Sequence, residues 1–219
     1  MRRATTMKII SIRHGFECDH SSSNYEFFSS ERPLTEAERK AVSGYSSRSR
    51  PGTRKATFQY HGDWADLPSG AEEDLLTNYF DILVSESYDW WHFAIAFDYD
   101  KKLFDNLKKY ECEGSDDTGL VVEKMDNRIV LHIYCQIEYE PFSPGQFPTG
   151  IEEEEEDQSR VEVDFEEFRN LLINLKREII KGDFSSLHAV AEFYEPGKLG
   201  GKVEYTKVSK KLQSILADY

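Results

Sequence analysis

Ile129, Leu131, Ile133, Cys135 and Ile137 take every second position of one unbroken run, with Leu120 to Val122 preceding them across Asp126 and Asn127. Side chains of period two point to opposite faces of an extended chain, so this run reads as a strand with one face buried. The Asp-Asn pair supplies the turn of a hairpin. An antiparallel pair of strands is therefore the first constraint on any fold for this chain.

Other segments extend the sheet. Ala56, Phe58 and Tyr60 alternate with Thr57 and Gln59, while Lys8 to Ile12, Tyr25 to Phe28, Asp81 to Ser85 and Phe93 to Phe97 are short, β-branched or aromatic. The polar stretch Asp19 to Asn24 is expected as a loop between the first two. Thr35 and Glu38 form a capping box that opens a helix ended by the serine-rich stretch 43–49, and Leu103, Phe104 and Leu107 mark another helix in Lys101 to Tyr110.

The C-terminal part reads as helical. Phe165, Phe168, Leu171, Leu172, Leu175, Ile179 and Ile180 form an apolar stripe, with Asp164 as N-cap and Gly182 as the stop. Phe184 to Tyr194 and Tyr205 to Leu216 follow as two more helices. Between sheet and helices, residues 141–160 combine Pro141, Pro144, Gly145, Pro148 and Gly150 with five glutamates and Asp157, a composition that buries little surface.

The expected fold is α+β: a mixed or antiparallel sheet with helices on one face, and a helical C-terminal segment. Its expected organisation is a sheet domain over 1–140, an acidic flexible loop or linker over 141–160, and helices over 161–219 packed on the sheet domain.

Charge narrows the function. Forty-one acidic residues against 27 basic ones leave a net charge of -14. Such a chain repels nucleic-acid phosphates and suits solubility or docking onto a basic surface. Three cysteines, Cys18, Cys112 and Cys135, follow no disulfide or zinc-ribbon spacing and fit a reducing cytoplasm. Ile9, Ile10 and Ile12 are too short an apolar stretch for a signal core or a membrane span.

Several residues are candidates for chemistry. Tyr88, Trp90 and Trp91 lie in an aromatic run whose alternate members face opposite sides of a strand, so one set is a possible anchor for a partner protein. Glu152, Glu153 and Glu154 belong to the acidic run that would steer a basic partner or simply remain solvated. Arg48, Arg50 and Arg54 form the densest basic segment, which either binds an anion or pairs with the protein's own carboxylates. His14, Cys18 and His20 offer three metal-ligating groups within seven residues, with Cys112, Cys135 or His132 available as a fourth.

Ser11-Ile12-Arg13-His14-Gly15, followed by Arg32-Pro33-Leu34-Thr35-Glu36, resembles the opening of a histidine phosphatase. That resemblance implies His14 as the nucleophile and Arg13 as a phosphate ligand. Phe16 stands where the superfamily carries Glu or Gln. His132 reads as mid-strand and His188 as helical, so neither matches the second histidine, which ends a late strand.

The segments Tyr25-Glu26-Phe27, Arg32-Pro33-Leu34-Thr35, Ser46-Ser47-Arg48, Tyr60-His61-Gly62-Asp63-Trp64, Tyr79-Phe80-Asp81 and Lys181-Gly182-Asp183-Phe184 resemble a family of uncharacterised bacterial proteins, over roughly residues 24 to 194. This resemblance implies no activity, cofactor or catalytic residue. The reading that follows is a non-enzymatic, cytoplasmic interaction or regulatory protein with an acidic binding surface and no cofactor. The alternative is phosphomonoester hydrolysis at His14.

Overall fold

A computed structural model describes residues 22–61, 67–87, 90–114, 117–136, 165–202 and 205–216. The strand expected at 8–12, the N-cap at Asp164 and the acidic stretch 141–160 lie outside these residues. The strands are β1 (Ser22–Phe28), β2 (Arg50–Pro51), β3 (Lys55–His61), β4 (Ile82–Ser87), β5 (Trp90–Asp98), β6 (Cys112–Glu113), β7 (Gly119–Met125) and β8 (Arg128–Gln136). The helices are α1 (Glu36–Ser43), α2 (Ala71–Asn78), α3 (Lys101–Leu107), α4 (Phe165–Ile180), α5 (Ser185–Tyr194) and α6 (Lys207–Leu216).

The strands form one eight-stranded sheet in the order β2-β3-β1-β4-β5-β8-β7-β6. Every pairing in it is antiparallel. The hairpin β7-β8 turns at Asp126 and Asn127, with Met125 opposite Arg128. Asp126 takes a φ of 49°, in the left-handed region where aspartate is among the better tolerated side chains. Ser22, Ser23 and Asn24, expected in a loop, instead open β1. There Asn24 pairs in register with Gln59 on one side and Glu86 on the other, so tertiary pairing overrides their low strand preference.

Because alternate residues of each strand face opposite ways, the sheet carries two cores. On one face Trp91, Phe93, Ile95 and Phe97 of β5 meet Ile129, Leu131 and Ile133 of β8 and the apolar sides of α3, α4, α5 and α6. On the other face Ala94, Ala96 and Val130 join Phe27, Phe58 and Leu83 under Val42 of α1 and Leu75 and Leu76 of α2. Helices thus cover both faces rather than the one expected, because the central strands are apolar on both sides, and the C-terminal helices share a hydrophobic cluster with the strands.

Local signals explain the helix ends. At α1 the Thr35 side chain accepts from the Glu38 N–H and Glu38 returns the bond to the Thr35 N–H at 2.7 Å, a complete capping box. Gly182, with φ 81°, ends α4: its N–H reaches the Ile179 carbonyl at 2.9 Å while that of Asp183 reaches Glu178 at 3.0 Å, a Schellman closure. The apolar stripe of α4 is buried from Phe165 to Ile179, but Ile180, about 100° further round the helix, is 63% exposed. Helix α2 has no capping side chain at Gly70 and little apolar content beyond Ala71, Leu75 and Leu76, which is why periodicity alone did not predict it.

Candidate functional site

Of the residues singled out by sequence, Arg48, Arg50, Arg54, Trp90, Trp91, Cys112, His132 and Cys135 are among those described. Arg13, His14, Cys18, His20, Tyr88, Glu152, Glu153 and Glu154 lie outside the described residues. Trp90, at the start of β5, is 39% exposed, whereas Trp91 is 1% exposed, so it belongs to the core and is removed from any partner surface. Strand alternation turns Trp91 toward α4, where its ring lies 5.4 Å from Phe165 and 5.2 Å from Phe168.

The three arginines serve different places. Arg54 donates from Nη1 to the Ser29 and Ser30 carbonyls at 3.0 and 3.2 Å, and the Arg48 guanidinium lies 5.3 Å from the centre of the Tyr60 ring. Arg50 is exposed on the short strand β2. Arg48 and Arg54 are thus engaged by the protein's own groups.

A different cluster is assembled by the sheet register. On the α2 side of the sheet, His92 of β5 sits opposite Tyr134 of β8, and Ala94 sits opposite His132. His92 and His132 are therefore diagonal neighbours on adjacent strands, close enough for long side chains to meet. His92 Nε2 lies 2.9 Å from His132 Nδ1. From above, Glu72 in the first turn of α2 brings Oε1 to 3.0 Å from His92 Nδ1. Tyr134 stacks on His92 at 4.4 Å between ring centroids, with 16° between the planes.

Proton accounting shows what this chain of groups does. Beside a carboxylate, His92 Nδ1 carries a proton, so neutral His92 offers Nε2 as acceptor to the Nδ1–H of His132. His132 Nε2 is then a bare lone pair, and it is buried without a hydrogen-bond partner among the described residues. Charging His92 reverses the bond, leaving an N–H at the same buried atom. Either arrangement leaves one polar atom unmet, at a cost of about 1–3 kcal/mol.

The electrostatics follow from burial. Desolvation, ahead of the His92 charge and against the pull of Glu72, pushes the His132 imidazole down to about 3. Desolvation would raise the Glu72 carboxyl, but the charge and hydrogen bond of His92, with His132 behind, bring it below the usual carboxylate value. Desolvation, then the Glu72, Glu123 and Glu73 charges, push the Tyr134 phenol up to about 12. At neutral pH the cluster thus presents an ionised carboxylate, a neutral buried imidazole and a neutral phenol.

Two further polar features serve structure. Lys176, on the inner face of α4 and 3% exposed, pairs with Asp81 at 2.6 Å and Glu31 at 2.7 Å, and Arg169 pairs with buried Glu26 at 2.6 Å. Beside β6, Cys112 borders a hollow lined by Glu111, Glu113, Leu120 and Lys198. Burial pushes that thiol up to about 11, so it is no nucleophile at neutral pH.

Sequence reading missed the cluster for identifiable reasons. His92 stands in an aromatic run whose alternation marks Trp90 or Trp91 rather than the histidine, His132 is a candidate only as a second phosphatase histidine or as a fourth ligand to His14, Cys18 and His20, and Glu72 lies in a helix without a periodic signal. The available signal was parity: His92 and the alanines at 94 and 96 share one face of a strand whose other face is apolar and bulky. No family model, no curated protein and no solved structure matches this chain.

Proposed function

We propose that the protein is a non-enzymatic interaction or regulatory protein that docks a partner with a basic surface onto the Trp90 end of its sheet. The observation that carries this reading is the half-exposed Trp90 indole, two residues along the same strand face from His92, which Glu72 reaches. The first turn of α2 adds Glu73 and Asp74, both exposed. A rigid aromatic beside carboxylates combines an anchor with a charge that steers a cationic partner.

Charge bookkeeping across the chain supports it. Arg54 is engaged by backbone carbonyls, and Arg169 and Lys176 are held by buried carboxylates, so cations are withdrawn from the surface of a chain of net charge -14. Cys112 and Cys135 are buried free thiols, in keeping with a reducing cytoplasm. Among the described residues no helix is long and apolar enough to cross a membrane. The phosphatase alternative gains no support from His132 and His188: the first bonds His92 inside β8, and the second sits in α5, 3.8 Å from Glu192.

Affinity capture from a lysate of the source organism, with wild type and Trp90→Ala side by side, tests the proposal. The expected result is a basic protein retained by wild type and lost with the variant. Identical captured sets would remove Trp90 as an anchor. For any partner retained, association should slow as salt rises from about 0.05 to 0.5 M, since surface charges are screened beyond roughly 10 Å at 0.1 M.

A further inference from the structure

We infer that Glu72, His92 and His132 bind one divalent transition-metal ion of the zinc class, with water completing its coordination. Each residue offers one ligand atom, these atoms lie within 4.8 Å of one another, and they come from α2, β5 and β8. Three elements remote in sequence therefore deliver the donors to one point on the sheet. The site is independent of whether the Trp90 surface docks a partner.

The donor set selects the ion. Two imidazoles and one carboxylate are borderline ligands suited to Zn2+, Co2+ or Fe2+, whereas Mg2+ and Ca2+ prefer all-oxygen shells. No thiolate is among the donors to favour Cu(I). Three protein ligands also leave coordination positions open, as in sites that hold water or an exogenous group.

Geometry places the ion where a single proton now bridges His92 Nε2 and His132 Nδ1 at 2.9 Å. At a metal–nitrogen distance of about 2.1 Å, two nitrogens so spaced subtend roughly 90° at the ion. The rings now meet edge to edge along their hydrogen bond, so His92 must turn to aim its Nε2 lone pair at an ion on His132 Nδ1. That rotation falls to the outer groups: the side chains of His92 and Glu72 keep 13% and 28% exposure, while His132 is 3% exposed and fixed by the core.

Energetics favour a ligand role for His132. At this buried position the imidazole leaves Nε2 without a partner among the described residues, a cost set against the one hydrogen bond that Nδ1 makes with His92. An ion held at Nδ1 would add a coordinate bond on the partnered side of the ring, with the proton of His132 kept at Nε2. Tyr134, stacked against His92, restricts the plane in which the ring turns.

The experiment is zinc binding to the full-length, metal-stripped chain, measured by competition with a chromophoric chelator and by metal analysis after dialysis, with Mg2+ in excess. The expected result is zinc retained by wild type in the presence of Mg2+, with affinity lowered at least tenfold in Glu72→Gln and His92→Gln. Glu72 is a partly exposed first-turn residue, so its variant keeps the fold and decides the matter if His92→Gln does not. Addition of zinc should also shift the side-chain nitrogen resonances of His92 and His132. Absence of binding by wild type, or equal affinity in wild type and Glu72→Gln, would overturn the site; in the second case the ion sits on other donors.

Discussion

His132 ties stability to pH through one atom. Its imidazole falls from the ordinary 6.5 to about 3 in the folded chain, chiefly through desolvation. Between those values the unfolded chain binds a proton that the folded chain refuses, so stability falls as pH falls, by up to about 1.4 kcal/mol per pH unit. Urea midpoints of the metal-free protein should therefore drop between pH 6.5 and 4, and His132→Leu should drop less over that window. Equal slopes would show that other groups govern the acid limb. The adjacent tryptophans make a second residue-scale test. Trp91→Ala opens a cavity among Phe93, Phe165 and Phe168 and should cost about 3–5 kcal/mol in chemical denaturation, whereas Trp90→Ala should cost well under 1 kcal/mol.

At the scale of elements, α4 is tied to the sheet by charge as well as by its apolar stripe. Lys176 reaches past that stripe to Asp81, which precedes β4 and also accepts from the Ser30 N–H at 2.7 Å, and its ammonium lies 5.7 Å from the centre of the Phe97 ring. Removing one member leaves the other charge buried, so Lys176→Met alone should destabilise by about 3–5 kcal/mol. The double variant Lys176→Met with Asp81→Asn should recover much of that loss. Additive losses in the double-mutant cycle would show that the two side chains act separately. The helix itself was legible as a stripe ended by glycine, because a period of 3.6 and a left-handed stop are local properties. Its buried lysine was not, since a cation at that position is tolerated only when a carboxylate from a distant loop arrives beside it.

At the scale of the molecule, the C-terminal helices and the strands share one hydrophobic cluster, in which Leu172, Leu175, Leu187 and Leu212 lie with Phe93, Ile95 and Leu131. A chain cut back to residues 1–160 should accordingly fail to show a cooperative unfolding transition, and a chain nicked within 141–160 should keep its two fragments together through gel filtration. Independent folding of the shorter chain would separate sheet and helices into two domains. The large negative charge acts at this scale too, through the summed field of exposed carboxylates, and it bears on association rather than on the fold.

What the amino-acid order determined alone is whatever depends on neighbours along the chain: the period-two runs of β3 and β8, the turn at Asp126 and Asn127, the Thr35 capping box, and the amphipathic α4 with its stop at Gly182. These suffice for an α+β fold with a mixed or antiparallel sheet, because each is a local match between side-chain spacing and backbone geometry. The tertiary structure alone decided which strands are neighbours, which indole of the Trp90 and Trp91 pair faces water, and which ionisable groups meet. Glu72, His92 and His132 come together only because the pairing of β5 with β8 and the seat of α2 over that pair fix three remote positions in space. Such register and packing are set by the whole core.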